Sequence, residues 1–401
     1  MVDHNRWLLP EGIAEVLPAD AAALERMRRT LIDLYQSWGY ELVLTPFIEY
    51  LESLLTGTGR DLDLQTFKLT DQLTGRLMGI RADMTPQVAR IDAHSLGRKG
   101  PVRLCYLGTV LHTRPDGFDR SRSPFQVGAE LYGHAGFESD AEVLGLMIET
   151  LRVAGVRDLH LDLGHVGVFR GLAREAGLSA EQEQTLFEVL QRKASSELAA
   201  LLTDSALAHR SRDRLAALAE LNGGREVLED AERALVGAGQ PVLRALAELR
   251  RVADAVAERM PDIPLYFDLA ELRGYNYQTG VVFAAFVPGH GQEVARGGRY
   301  DEIGKVFGRA RPATGFSADL KTLIALGEVP APAPRDGVLA PWQGEAGLRA
   351  AVRALRARGR RVVYSLPGAV EDPRELGCTH RLVGRAGRWE PEPIDSGGQG
   401  E

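Results

Sequence analysis

The sequence predicts an α+β fold with an all-helical insertion and a short α/β tail, and three observations predict it. Helical and extended patterns alternate through residues 20–163. Between about 170 and 260, Ala, Leu, Glu and Arg dominate and β-branched residues are sparse. After a Pro/Ala-rich stretch at 328–336, short extended and helical patterns alternate again.

Residues 20–38 read as an amphipathic helix, because Leu24, Met27, Leu31, Leu34 and Trp38 recur at helical spacing and Gly39 follows at a C-cap position. Tyr40 to Thr45 is an extended run stopped by Pro46. Residues 65–80 read as two short strands around the turn at 71–75, and 102–112 and 125–132 as two more, joined by a polar loop. A helix at 138–154 and a strand at Leu159–Leu163 follow. Inside the insertion, Leu215, Leu218 and Leu221, then Leu243, Leu246 and Leu249, keep helical period. Strands are expected at 265–269 and 279–287, then Gly297-Gly298-Arg299-Tyr300-Asp301 and a helix starting near Ser317. The expected organisation is a large domain at 1–327, a linker at 328–336, and an α/β domain at 337–394 with strands at 337–341, 361–366 and 379–384 and a helix at 345–358. Residues 395–401 form an expected disordered tail.

At 44% hydrophobic and 26% charged residues, the chain has globular composition. Its net charge of −7 argues against broad electrostatic binding to nucleic acid. Cys105 and Cys378 lie far apart and away from histidine clusters, so neither a metal site nor a disulfide is expected. The polar start and the lack of an 18-residue apolar run predict a cytoplasmic protein with no membrane partner.

Three segments place polar side chains among apolar runs: Arg81 to Pro86, Tyr106 to Gly133, and Leu272 to Tyr277. Carboxylates such as Asp83 and Glu130 are costly to bury unless paired. Two readings fit the spacing: structural hydrogen bonds that close a sheet, or a pocket for a small amine-bearing ligand.

The order of these segments resembles histidyl-tRNA synthetase, a class II aminoacyl-tRNA synthetase, over about residues 7–326. The helix and strand ending at Pro46 look like motif 1, 102–133 like motif 2, and Gly297 to Leu326 like the approach to motif 3 and motif 3 itself. Leu272–Tyr277 resembles the histidine-specific signature, and the helical block sits where that family carries its insertion. The resemblance implies an antiparallel sheet flanked by helices. It also implies a histidine pocket made by Asp83 and Thr85 near the ammonium group, Gln126 and Glu130 near the amino acid and its imidazole, Arg273 at the carboxylate, and Tyr277 and Tyr300.

The departures fall at the ATP end. His112 stands where motif 2 carries an arginine for the α-phosphate, and Thr322 where motif 3 ends in an arginine. A neutral His and a Thr supply no guanidinium fork for phosphate. Arg114 and Lys321 are displaced by two positions and one position. Gln278 replaces an aromatic, and the tail is short for an anticodon-binding domain, which argues against tRNA as a partner.

A synthetase-like chain with its phosphate clamp lost and its histidine pocket kept resembles the regulatory subunits of heteromeric ATP phosphoribosyltransferase. That resemblance implies no catalytic residues and no cofactor in this chain. It implies a short-form catalytic subunit as partner, a homodimer within a hetero-oligomer, and L-histidine as effector. Two alternatives stand beside it: an active histidyl-tRNA synthetase with relocated cations, and a synthetase-like nucleic-acid-binding accessory protein.

Overall fold

The computed structural model describes residues 7–55, 60–115, 121–203, 207–271, 274–275, 277–327, 336–385 and 387–394. Arg273, most of the expected 328–336 linker and the 395–401 tail lie outside these residues. The chain divides into two compact units, residues 1–329 and 330–401.

In the first unit, nine strands of the described residues form one sheet. Its order is Glu41–Leu42, Val102–Thr109, Phe125–Tyr132, Ala313–Asp319, Ala295–Arg299, Val281–Phe286, His160–His165, Leu265–Asp268 and Asn222–Gly223. From Val102–Thr109 to His160–His165 every neighbouring pair is antiparallel. Parallel pairing enters where Glu41–Leu42 joins Val102–Thr109 and where Leu265–Asp268 joins His160–His165.

Side-chain alternation divides the sheet into two faces. Along Phe125–Tyr132, Val127, Ala129 and Leu131 enter the main core with Leu31 and Tyr35 of the helix Pro18–Ser37 and with Leu144, Met147 and Leu151 of the helix Phe137–Val153. The intervening Gln126, Gly128 and Glu130 take the other face, where Tyr106, Tyr300, Met84 and Val88 form a second cluster. That second face carries the candidate site. The Gly-Gly-Arg-Tyr-Asp segment divides in the same way. Arg299 turns to the buried carboxylate of Asp140 at 3.0 Å, and Tyr300 turns to Glu130. Asp140 is held above the usual carboxylate range because burial outweighs its arginine partner.

Helix Pro18–Ser37 starts with Pro18 in its first turn and ends before Gly39, whose φ of +83° suits glycine at a C-terminal turn. Of the run 40–45 only Glu41–Leu42 is strand, at the sheet edge, and Val43 adds one more bond to that neighbour by donating its N–H to the Cys105 carbonyl at 2.9 Å. The helix expected near Ser317 begins instead at Leu320, capped by Asp319, whose Oδ1 accepts from the Lys321 N–H at 3.2 Å. Residues 313–319 are strand because they have partners on both sides, Phe125–Tyr132 and Ala295–Arg299. The insertion is not wholly helical: Asn222–Gly223 returns to the main sheet beside Phe267 and Asp268.

In the second unit, Gly337–Ala340 lies parallel to both Val362–Tyr364 and Cys378–Arg385, and the helix Ala346–Ala357 packs Leu348 and Val352 into a small core. A strand absent from the sequence reading, Arg388–Pro393, forms the sheet edge. Its prolines fit there because an edge strand leaves one side unpaired.

Candidate functional site

The site is built where four central strands meet the helix Thr85–Arg90. Glu130 is 1% exposed and lies opposite Gly315 in the neighbouring strand. A Cβ at Gly315 would fall 1.4 Å from the Glu130 Oε2, so only glycine leaves room for this carboxyl. Gly128 does the same for Tyr106, whose hydroxyl would lie 2.4 Å from an added Cβ.

Three hydroxyls surround the Glu130 carboxyl. Tyr106 donates to Oε1 at 2.9 Å, Thr85 donates to the same oxygen at 3.2 Å, and Tyr300 donates to Oε2. Burial pushes the Glu130 carboxyl up to about 8, against the pull of these donors and with further help from the Asp83 charge. Burial and the neighbouring Glu130 also hold both phenols well above their usual range, so they remain donors. Glu130 thus has the structural hydrogen bonds that are one of the two readings open from the spacing: the chain supplies its own donors, and the proton itself lowers the cost of burial.

Asp83 and Gln126 form a second linked pair. The Gln126 amide donates to Asp83 Oδ1 at 2.8 Å, the same oxygen accepts from the Thr85 N–H at 2.9 Å, and the Gln126 carbonyl accepts from the Met84 N–H at 2.9 Å. This fixes the turn 83–85 against the sheet and leaves Asp83 carboxylate capacity toward the cavity.

Asp83, Thr85, Gln126, Glu130, Tyr277 and Tyr300 all line one cavity of about 820 Å³. His112 and Thr322 line it as well. Six of the seven residues assigned to the pocket are thus brought together, and Arg273 falls outside the described residues. Tyr277 covers Gly274, whose φ of +68° makes the tight turn of the signature loop. Gln278 is buried beside it.

Three contributors escaped the sequence reading. Tyr106 was inside a recognised segment but is a phenol among apolar strand residues, with no pattern to single it out. The helix Ala180–Gln191 of the insertion supplies Gln184, Phe187 and Glu188 to the cavity wall. Tyr275 is itself tied to that helix: its hydroxyl donates to Glu183 and its ring stacks on Phe187 at 5.1 Å.

The end of the cavity carrying His112 and Thr322 is built differently. The His112 Nε2 meets the Ala82 carbonyl at 2.9 Å, and the Thr322 hydroxyl donates to Asp319 at 3.0 Å. Lys321 donates to the Ser123 carbonyl at 2.6 Å, and Arg114 is exposed. Neither is among the described lining residues. Those residues include six carboxyl groups, on Asp83, Glu130, Glu188, Glu271, Glu293 and Asp319, of which Glu130 holds its proton up to about pH 8. Arg296 is the one arginine or lysine among them, and it pairs with Glu293 at 3.1 Å. Such a lining repels a triphosphate and favours a ligand bearing an amine.

The histidyl-tRNA synthetase family matches residues 12–323, and the ATP phosphoribosyltransferase subunit HisZ C-terminal domain family matches 335–392. An ATP phosphoribosyltransferase regulatory subunit of Thioalkalivibrio sulfidiphilus is 62% identical, over 96% of this chain and 97% of its own. The chain belongs to the ATP phosphoribosyltransferase regulatory-subunit family. Another relative of that name, from Alkalilimnicola ehrlichii, is 60% identical over 97% of this chain and 98% of its own. Among solved structures, an ATP phosphoribosyltransferase regulatory subunit/histidyl-tRNA synthetase from Bacillus halodurans matches with a TM-score of 0.81 and 28% identity, over 92% of this chain and 95% of that one. A histidyl-tRNA synthetase from Nostoc matches at 0.75 with 19% identity, over 94% of this chain and 91% of that one, a likeness of fold. As a regulatory-subunit family member, the chain keeps the class II synthetase frame, while its described cavity lining carries a single arginine. No described helix is long and apolar enough to cross a membrane.

Proposed function

We propose that this chain acts as the non-catalytic regulatory subunit of a heteromeric ATP phosphoribosyltransferase and that its acidic cavity is the receptor for L-histidine. The observation that carries the reading is the meeting of Asp83, Thr85, Gln126, Glu130, Tyr277 and Tyr300 around one cavity whose described lining pairs its single arginine with a glutamate. Amine and imidazole N–H groups find carboxylates and hydroxyls there, and Arg273 is the residue we assign to the ligand carboxylate. Adenylate formation would need fixed cations at a reacting phosphate, and His112 and Thr322 supply none.

The chemistry then belongs to a short-form catalytic partner in the cytoplasm. The motif 1 region, from Pro18 to Pro46, is the surface we assign to a homodimer within the larger complex. Histidine regulates the partner by binding one conformation of the complex more tightly than another. Reconstitution with the catalytic subunit tests this. Histidine should inhibit the complex, and Glu130→Gln should raise the inhibition constant at least tenfold with uninhibited activity nearly unchanged. An unchanged inhibition constant would place histidine elsewhere.

A further inference from the structure

A second cavity, of about 230 Å³, lies between the helices Val166–Glu175 and Gln240–Arg259, beside Thr279. Its character is opposite to that of the first. Arg170 and Arg174 stand four residues apart on one helix, Arg244 lines the cavity from the other, and Glu248 is the single carboxylate among its described lining residues. Glu248 is engaged by the buried ring of His165, whose Nε2 lies 3.3 Å from it. The tautomer is fixed because the His165 Nδ1 accepts from the Gly167 N–H at 3.0 Å, which leaves the proton on Nε2 to face Glu248. Among the described residues, neither Arg174 nor Arg244 has a hydrogen-bond or ion-pair partner for its guanidinium.

Three arginines line one concavity of a chain with net charge −7, and like charges placed near one another repel. An anion that accepts several N–H donors at once removes that repulsion, and phosphate oxygens match the arginine fork. Pockets for drug-sized ligands run from about 300 to 1,000 Å³. This one is smaller and suits one or two phosphate groups rather than a whole nucleotide. We propose that this cavity binds the phosphate or diphosphate group of a small anionic metabolite.

Arg170 gives the site a route to the first cavity. It donates to the Tyr275 carbonyl at 2.9 Å and to the Gln278 carbonyl at 3.2 Å, and its guanidinium lies 4.6 Å from the centre of the Tyr275 ring. Both residues also line the acidic cavity. An anion in the basic cavity competes for the same guanidinium, so its binding changes how Tyr275 and Gln278 are held. Arg170 is in this sense a positioning residue for the acidic cavity.

Calorimetry on the full chain with sodium pyrophosphate, inorganic phosphate and ribose 5-phosphate, all at matched ionic strength, tests the site. Saturable binding at one site per chain is expected. It should weaken at least tenfold in the Arg174→Gln/Arg244→Gln double variant and strengthen in Glu248→Gln. The order of affinities among the three probes distinguishes a diphosphate from a sugar phosphate, and either order supports the site. The double variant alters two exposed side chains, and its thermal melt should match the wild type. Heats that do not saturate, or equal affinity in the double variant, would overturn the proposal. The coupling through Arg170 rests on the histidine reading: saturating pyrophosphate should change the histidine affinity severalfold in the wild type and not in Arg170→Lys. An unchanged affinity would overturn the coupling. The pyrophosphate isotherm does not depend on histidine, so failure of the anion site and failure of the histidine reading are distinguishable.

Discussion

Tyr300 donates its hydroxyl hydrogen to Glu130 across 170 positions of sequence, over a strand whose Gly315 has no side chain to obstruct them. The pair closes the inner end of the acidic cavity, and its geometry depends on that glycine.

Gly315→Ala should therefore be disproportionate for a change of one methyl group. The added Cβ meets the Glu130 carboxyl, so either the strand or the carboxyl must move. Overpacking of this kind costs about 1–3 kcal/mol. Urea denaturation should show that loss, and histidine affinity should fall with it. A variant with wild-type stability and affinity would mean that the carboxyl has room to move away.

The raised Glu130 carboxyl predicts a pH dependence with a definite sign. Folding lifts the group from near 4.5 to about 8, so the folded chain keeps a proton that the unfolded chain releases. Stability from this group is therefore full at low pH and declines as pH rises between about 4.5 and 8. Thermal melts of the wild type should fall across that window relative to Glu130→Gln, which has no carboxyl to ionise. Parallel slopes for the two proteins would contradict the assignment. Histidine affinity should move the opposite way and rise with pH as the carboxylate forms.

Tyr275→Phe tests the tie between insertion and signature loop. The ring keeps its stacking on Phe187 while the hydroxyl that donates to Glu183 is lost. A hydrogen bond of this type is worth about 1 kcal/mol. Histidine binding should weaken by a factor of about five, the equivalent of 1 kcal/mol. Unchanged binding would show that the insertion does not hold the loop.

Much of this site could be read along the chain. Gln126, Gly128 and Glu130 alternate with Val127, Ala129 and Leu131, so the strand and its two faces follow from period two. That His112 and Thr322 stand where the resembled synthetase family carries arginines is also visible in the sequence. What stayed hidden depends on contacts between distant positions. Residues 313–319 share apolar spacing with the helix that follows, and only pairing on both sides makes them a strand. The fit of Glu130 against Gly315 joins two strands far apart in sequence. Glu183 and Phe187 read as ordinary surface and core positions of an amphipathic helix until that helix is placed beside Tyr275. The edge strand Arg388–Pro393 was obscured by its prolines, which are tolerated because one side needs no partner.

The measurement that bears most directly on the site is calorimetric titration of L-histidine into the isolated chain, on the wild type and Glu130→Gln, together with an assay for histidine-dependent ATP–pyrophosphate exchange. The wild type should bind histidine at one site per chain, Glu130→Gln should bind at least tenfold more weakly, and neither should support exchange. The tenfold loss corresponds to about 1.4 kcal/mol, and it applies above about pH 8, where the Glu130 carboxyl is ionised. Equal histidine affinity in the two proteins, or exchange at an enzyme's rate, would contradict a cavity that recognises histidine without activating it.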